Sequence, residues 1–180
     1  MGGAEKKRLG VAENNLGRRG VSHVIAKLSL PALAGALATQ DLVPRSALAL
    51  VFSAVLAGAF ADTASTELGP LARGRVWGLR GFRLVSLPHG APGGMSGAGL
   101  FAAGVCSAAV ALSARYAGLL AGQSAIYAAA GSGLIASVIE SVFAGTTLGV
   151  RAGHFGRNAF VSLASGGAAL AARALGWAGS

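Results

Sequence analysis

At 180 residues the chain is long enough for one ordinary domain, but 53% of it is hydrophobic, 12% is charged and its mean hydropathy is +0.62. That balance excludes an average water-soluble domain and points to an integral membrane protein. The net charge of +9 would suit nucleic acid, but the Arg residues mostly flank apolar blocks and no nucleic-acid motif is present. The anionic headgroup surface of a lipid bilayer is therefore the expected counter-charge, and no nucleic acid partner is expected.

In chain order, residues 1–20 form a basic segment without the apolar core of a secretory signal, so a cleaved signal is not expected. Residues 21–180 form one integral membrane helical domain. Five apolar blocks cover residues 21–39, 46–61, 95–113, 123–148 and 158–175. About 20 residues are needed to cross a hydrocarbon core about 30 Å thick, so the second block is short unless it takes in part of the polar stretch that follows. The many Ala and Gly residues argue against a soluble helical core, because they stabilise such a core little, whereas in lipid they let helices approach closely. The expected fold class is all-α: a multi-pass transmembrane helical bundle of about five spanning helices.

Basic residues give an independent check. Lys6, Lys7, Arg8, Arg18, Arg19, Arg73, Arg75, Arg80, Arg83, Arg151 and Arg157 fall on one side of a five-span alternation, and only Arg45, Arg115 and Arg173 on the other. This split places the N-terminus inside. Lys27, near the start of the first block, is expected to snorkel to the inner surface. Pro31 is expected to bend or end part of the first helix. Trp77, Trp177 and Tyr116 are expected as interface anchors. His23, His89 and His154 are too scattered in sequence for a metal set and are expected in packing or interfacial roles. Cys106 is expected to be a small packing residue, and a single cysteine excludes an intramolecular disulfide framework.

The alternation brings Asp62 and Glu67 (ADTASTELG), the glycine-rich stretch HGAPGGMSGAG, Glu140 and Arg151 to one leaflet. The chain has six acidic residues, and three of them sit in or beside apolar blocks, where a carboxylate costs about 2.5–3.5 kcal/mol on insertion scales. Such acids meet a cation, a ligand or water. Structural ion pairs with Arg73, Arg80, Arg83 or Arg151 would satisfy them, and Glu67 alone fits that reading. Asp62 and Glu140 together suit a functional site. On an unbroken helix Asp62 and Glu67 would point about 140° apart. Either the helix unwinds near Ser65, or one carboxylate faces the site while the other anchors the loop. The functional loop spans 62–96; its Arg and Gly residues suit an anion-binding lid, with Gly93, Gly94 and Ser96 at a helix start that favours phosphate. Carboxylates for Mg²⁺, arginines for negative charge and an apolar surround suit a phosphorylated substrate with a lipid tail.

The order FADTASTELG, LRGFRLVSLPHGAPGGMSGAG and ESVFAGTTLG, preceded by GRRGVSHVIAK, resembles the integral-membrane family called transmembrane protein 19, which includes the plant phytyl-phosphate kinase of vitamin E synthesis. The resemblance covers nearly the whole chain. It implies a multi-pass membrane fold and transfer of phosphate from a nucleoside triphosphate to an isoprenoid monophosphate. The matching motif positions are Asp62, Ser65 and Glu67, then Gly93, Gly94 and Ser96, then Glu140 and Ser141. On this footing Asp62 and Glu140 are expected to hold Mg²⁺, with Glu67 as a further catalytic carboxylate. Arg80, Arg83 and Arg151 are expected to contact phosphate, and Gly93 and Gly94 to offer backbone contacts. A photosynthetic source would make a plastid membrane the expected location. The residues by themselves leave two other classes open: a carrier in which Asp62 and Glu140 handle a proton or cation, and a non-catalytic lipid-binding membrane protein.

Overall fold

The computed structural model describes residues 21–71, 74–80 and 83–178. The basic segment 1–20 and Arg73, both used in the topology reading, lie outside the described residues. Among those described, five α-helices follow the five apolar blocks: α1 Val21–Leu37, α2 Arg45–Leu68, α3 Gly97–Tyr116, α4 Gly122–Ala144 and α5 Thr147–Ala174. The short second block is resolved by α2 running straight through the acidic motif, which brings it to 24 residues. It does not unwind near Ser65. The Ser65 and Thr66 hydroxyls donate to the Asp62 carbonyl at 2.9 and 2.7 Å, and Thr63 donates to the Ala59 carbonyl at 2.8 Å. These side chains fold back on their own helix and leave its ladder intact. Pro31 does not end α1; it is buried inside a helix that continues to Leu37.

By length and composition, Arg45–Leu71, Gly97–Tyr116 and Gly122–Ala144 can each cross a membrane, while α1 is shorter at 17 residues. α5 is divided by a non-helical Gly153 at φ 61°, and its first half carries Arg151, His154, Arg157 and Asn158. Helix ends are set locally. The Ser96 hydroxyl accepts from the Gly99 N–H at 3.1 Å to cap α3, and the Thr146 hydroxyl accepts from Gly149 at 3.0 Å to cap α5; each cap contributes about 1 kcal/mol. Gly118, at φ 77°, closes the other end of α3, with the Leu119 N–H bonded to the Ala114 carbonyl at 2.9 Å.

α2 is the axis of the bundle. The other four helices all pack on it, and around it they run in the order α1, α5, α4, α3. Small residues make this possible. A Cβ built on Gly133 of α4 would fall on the α2 backbone at Ala57 and Gly58, and one on Gly58 would strike Ser165 of α5. Buried hydroxyls tie the helices further: Ser107 donates to the Ala130 carbonyl at 2.7 Å and Ser162 to the Ala26 carbonyl at 3.2 Å. Interhelical bonds of this kind contribute about 0.6–2 kcal/mol each in lipid.

The segment between α2 and α3, whose composition suited an anion-binding lid, contains a three-stranded antiparallel sheet in the order β2-β1-β3, with β1 Val76–Arg80, β2 Arg83–Leu87 and β3 Met95–Ser96. The all-α bundle therefore carries a small β element. The Val, Leu and Trp residues of VWGLR and RLVSL supply the strand-forming side chains that the surrounding Gly and Arg residues obscure. β3 leads directly into α3, so the sheet is fixed to a helix start. Gly78 lets it lie flush on the glycine loop, since a Cβ there would collide with the Leu87 side chain and the Gly93 carbonyl.

The α2–α4 contact should be intolerant of added volume. Gly133→Ala is expected to lower stability by about 1–3 kcal/mol, and Gly35→Ala, at a position with open space, to stay within about 0.5 kcal/mol of the parent. Unfolding midpoints in mixed micelles check both.

Candidate functional site

The alternation of helices brings one end of each to a common cavity of about 660 Å³, within the range of small-molecule sites. α1 contributes His23 and Lys27, α2 the stretch from Ala59 to Glu67, α4 Glu140 and Ser141, and α5 His154, Arg157 and Asn158; the glycine loop from His89 to Ser96 closes one side. The convergence of Asp62, Glu67, the glycine loop and Glu140 expected from the five-span alternation is what the fold produces.

The best-defined element in the cavity is an ion pair. Lys27 Nζ lies 2.6 Å from Asp62 Oδ2, with both side chains only 13% exposed. The same ammonium donates to the Thr63 hydroxyl at 3.0 Å and the Ala59 carbonyl at 3.3 Å. Lys27 thus does not snorkel to the surface, and Asp62 pairs with it rather than with an arginine of the loop. Three acceptors around one ammonium compensate its desolvation, which an ion pair alone does poorly in a low-dielectric interior.

A second polar chain runs beside it. Arg157 Nε lies 4.0 Å from Glu140 Oε1, and Arg157 Nη2 meets His154 Nδ1 at 2.9 Å. Since guanidinium can only donate, that imidazole nitrogen is the acceptor. The His154 ring lies 5.7 Å from that of His23, centroid to centroid, and His23 Nδ1 is 3.1 Å from the Asn158 amide nitrogen. His23, His89 and His154, scattered in sequence, all line this cavity. Sequence reasoning also missed Arg157 and Asn158 as site residues. A signal was present: His23 and Lys27 stand at i and i+4, and His154, Arg157 and Asn158 at i, i+3 and i+4, so each set shares one helix face.

The other expected site residues divide into two groups. Ser65, Glu67, Gly93, Gly94, Ser96 and Ser141 line the cavity with Asp62 and Glu140; Arg80, Arg83 and Arg151 do not. Arg80 Nη1 donates to the Gly145 carbonyl at 3.1 Å and Nη2 to the Pro92 carbonyl at 2.8 Å. Its guanidinium ties β1 to the glycine loop and to the end of α4. Arg83 and Arg151 are exposed. The glycines also serve the packing of the loop. Gly93, at φ 77°, sits where a Cβ would press on Gly145 and on the Ser141 carbonyl, so it allows the loop to rest on α4. The Gly94 N–H is bonded to the Ala91 carbonyl at 3.0 Å. Ser96 holds two backbones together, donating to the Gly69 carbonyl at 3.1 Å while it caps α3. Among the described residues, no group of three or more His, Cys, Asp or Glu side chains forms a metal cage by itself.

The pair makes a stability prediction with an internal control. Lys27→Met strands a buried carboxylate and is expected to cost about 3–5 kcal/mol, while adding Asp62→Asn should recover a large part of the loss. Denaturation of the two variants and of Asp62→Asn alone measures the coupling, and additive losses would show that the ion pair does not form.

Comparisons with curated proteins and with solved structures give no match. A family model described as integral membrane protein DUF92 matches residues 1–170. That match takes in all but the last ten residues, and the apolar helices crossed by a few buried charges agree with it. The chain belongs to the integral membrane protein family DUF92.

Proposed function

We propose that the protein is an integral-membrane phosphotransferase that moves the terminal phosphoryl group of a nucleoside triphosphate onto an isoprenoid monophosphate of the phytyl type, as its resemblance to the transmembrane protein 19 family implies. The observation that carries this reading is the meeting of Asp62, Glu67 and Glu140 with Lys27 and Arg157 in one cavity among apolar helices. Carboxylates in a phosphate site call for a divalent cation, and a phosphate that arrives with one is complementary to Asp62 and Glu140. Asp62 and Glu140 are the residues that would hold Mg²⁺, together with phosphate oxygens, since the protein offers no complete cage. Bound there, the ion would neutralise charge between the two phosphates.

The reaction itself asks little covalent chemistry of the protein. An oxygen of the isoprenoid monophosphate attacks the terminal phosphorus of the nucleotide, the bond from that phosphorus to the bridging oxygen breaks, and isoprenyl diphosphate and nucleoside diphosphate leave. Positioning and charge neutralisation supply the catalysis. Lys27 holds Asp62 in place, and Arg157, 4.0 Å from Glu140, can turn to a phosphate oxygen, the role first expected of Arg80, Arg83 and Arg151. In a photosynthetic source the same resemblance points to a plastid membrane.

The Lys27–Asp62 pair within the bundle favours one other reading, a carrier that loads a proton or cation on an intramembrane acid. The two separate in one preparation. Purified protein in vesicles with Mg²⁺, nucleoside triphosphate and isoprenyl monophosphate is expected to release the diphosphate, at a rate that falls at least about a hundredfold in Asp62→Asn and in Glu140→Gln. Arg45→Ala, which breaks an exposed surface pair with Asp41, should match the parent. Absence of diphosphate with acid-dependent uptake of cation would overturn the kinase reading in favour of the carrier.

A further inference from the structure

The four helices around α2 do not close a ring. Among the described residues, α1 packs on α5, α5 on α4 and α4 on α3, but no comparable packing joins α1 to α3. The uncovered strip of α2 lies between them, and Phe60 stands on it, 57% exposed even though α2 is the axis of the bundle. Val24 and Leu28 of α1 flank the strip on one side and Leu100 of α3 on the other. All four side chains are exposed on the outside of the bundle, and all four also line the cavity. The charged cavity therefore has an apolar side opening toward the region that lipid occupies.

Along α2 the character of this strip changes within two turns. Thr63 and Glu67 stand three and seven residues beyond Phe60, on nearly the same face, and both line the cavity. Only a molecule that is apolar where it passes Phe60 and charged where it reaches Thr63, Glu67 and Asp62 matches both ends. A free nucleotide or a sugar phosphate has no apolar part for the outer half, and a neutral hydrocarbon has no polar part for the inner half. We infer that the gap between α1 and α3 is a lateral passage through which a single-chain lipid phosphate reaches the cavity from within the bilayer, its head among the charged side chains and its tail lying over Phe60 between Leu28 and Leu100. This rests on the reading of the cavity as a phosphate site, and adds the side from which the lipid substrate comes and the residues that hold its chain.

Two phosphates that share a head and differ in tail test the passage: butyl phosphate and dodecyl phosphate, titrated with Mg²⁺ onto full-length protein in phosphatidylcholine vesicles and corrected for partitioning into protein-free vesicles. Dodecyl phosphate is expected to bind at least about tenfold tighter, because its chain leaves water for an apolar wall. The paired substitution Leu28→Trp and Leu100→Trp should remove about tenfold of that affinity by filling the gap while butyl phosphate changes less than about twofold. On the unsubstituted protein, dodecyl phosphate with a photoreactive diazirine in its tail should leave adducts at Leu28, Phe60 or Leu100, read by mass spectrometry, so the result does not depend on the variant folding. Equal affinity for the two phosphates, with adducts away from these residues, would overturn the passage and leave the phosphate cavity standing. Failure of both phosphates to bind would overturn the passage together with the phosphate reading beneath it.

Discussion

A carboxylate set into an apolar helix has to be compensated by something within reach of that helix. Here the compensating group is the ammonium of Lys27, 2.6 Å from Asp62. Much of the architecture follows from this pairing. It fixes how deep α1 sits against α2, because the short reach from one helix to the other leaves little freedom to slide. It accounts for a lysine buried in α1, where the alternative of stretching to the headgroups would leave Asp62 alone in a medium of low dielectric. It also draws in the hydroxyl of Thr63 and the carbonyl of Ala59, so that the charged pair is surrounded by dipoles belonging to the same turn of α2.

Enclosing that turn on several sides requires helices that come unusually close. Gly58, Gly133 and Ser165 meet where any larger side chain would hold the axes apart, and the seryl hydroxyls that remain are spent on carbonyls, so that no buried side-chain polar atom among the described residues lacks a partner. Close packing on four sides of α2 leaves the fifth side open at Phe60. The same arrangement thus gives a guarded polar interior and an apolar side door, a combination suited to a ligand that lives in the bilayer and carries charge at one end.

The loop between α2 and α3 acts chiefly as structure. The Arg80 guanidinium clamps two backbone carbonyls, Gly93 and Gly78 permit close stacking, and Ser96 joins the 3-10 turn Gly69–Leu71 to the start of α3. Its residues resemble an anion site because arginine, glycine and serine serve backbone carbonyls and tight turns as readily as they serve phosphate. The cationic side chains that line the cavity, Lys27 and Arg157, come instead from α1 and α5, far from the loop in sequence.

The five helices, their approximate limits and the shared end of Asp62, the glycine loop and Glu140 were legible in the chain, because hydropathy over about twenty residues and alternation across a bilayer are properties of segments taken one at a time. The extension of α2 through the acidic motif was half legible, from the shortness of the apolar block before it. The sheet was hidden by the glycines and arginines around two five-residue strands. The partners of the acids were not legible: whether Asp62 meets Lys27 or an arginine of the loop depends on which helices are neighbours around α2 and how each is rotated, and one-dimensional periodicity carries neither quantity. The opening between α1 and α3 belongs to the same class, since a gap in a ring is a relation among all its members and exists only once the helices have packed.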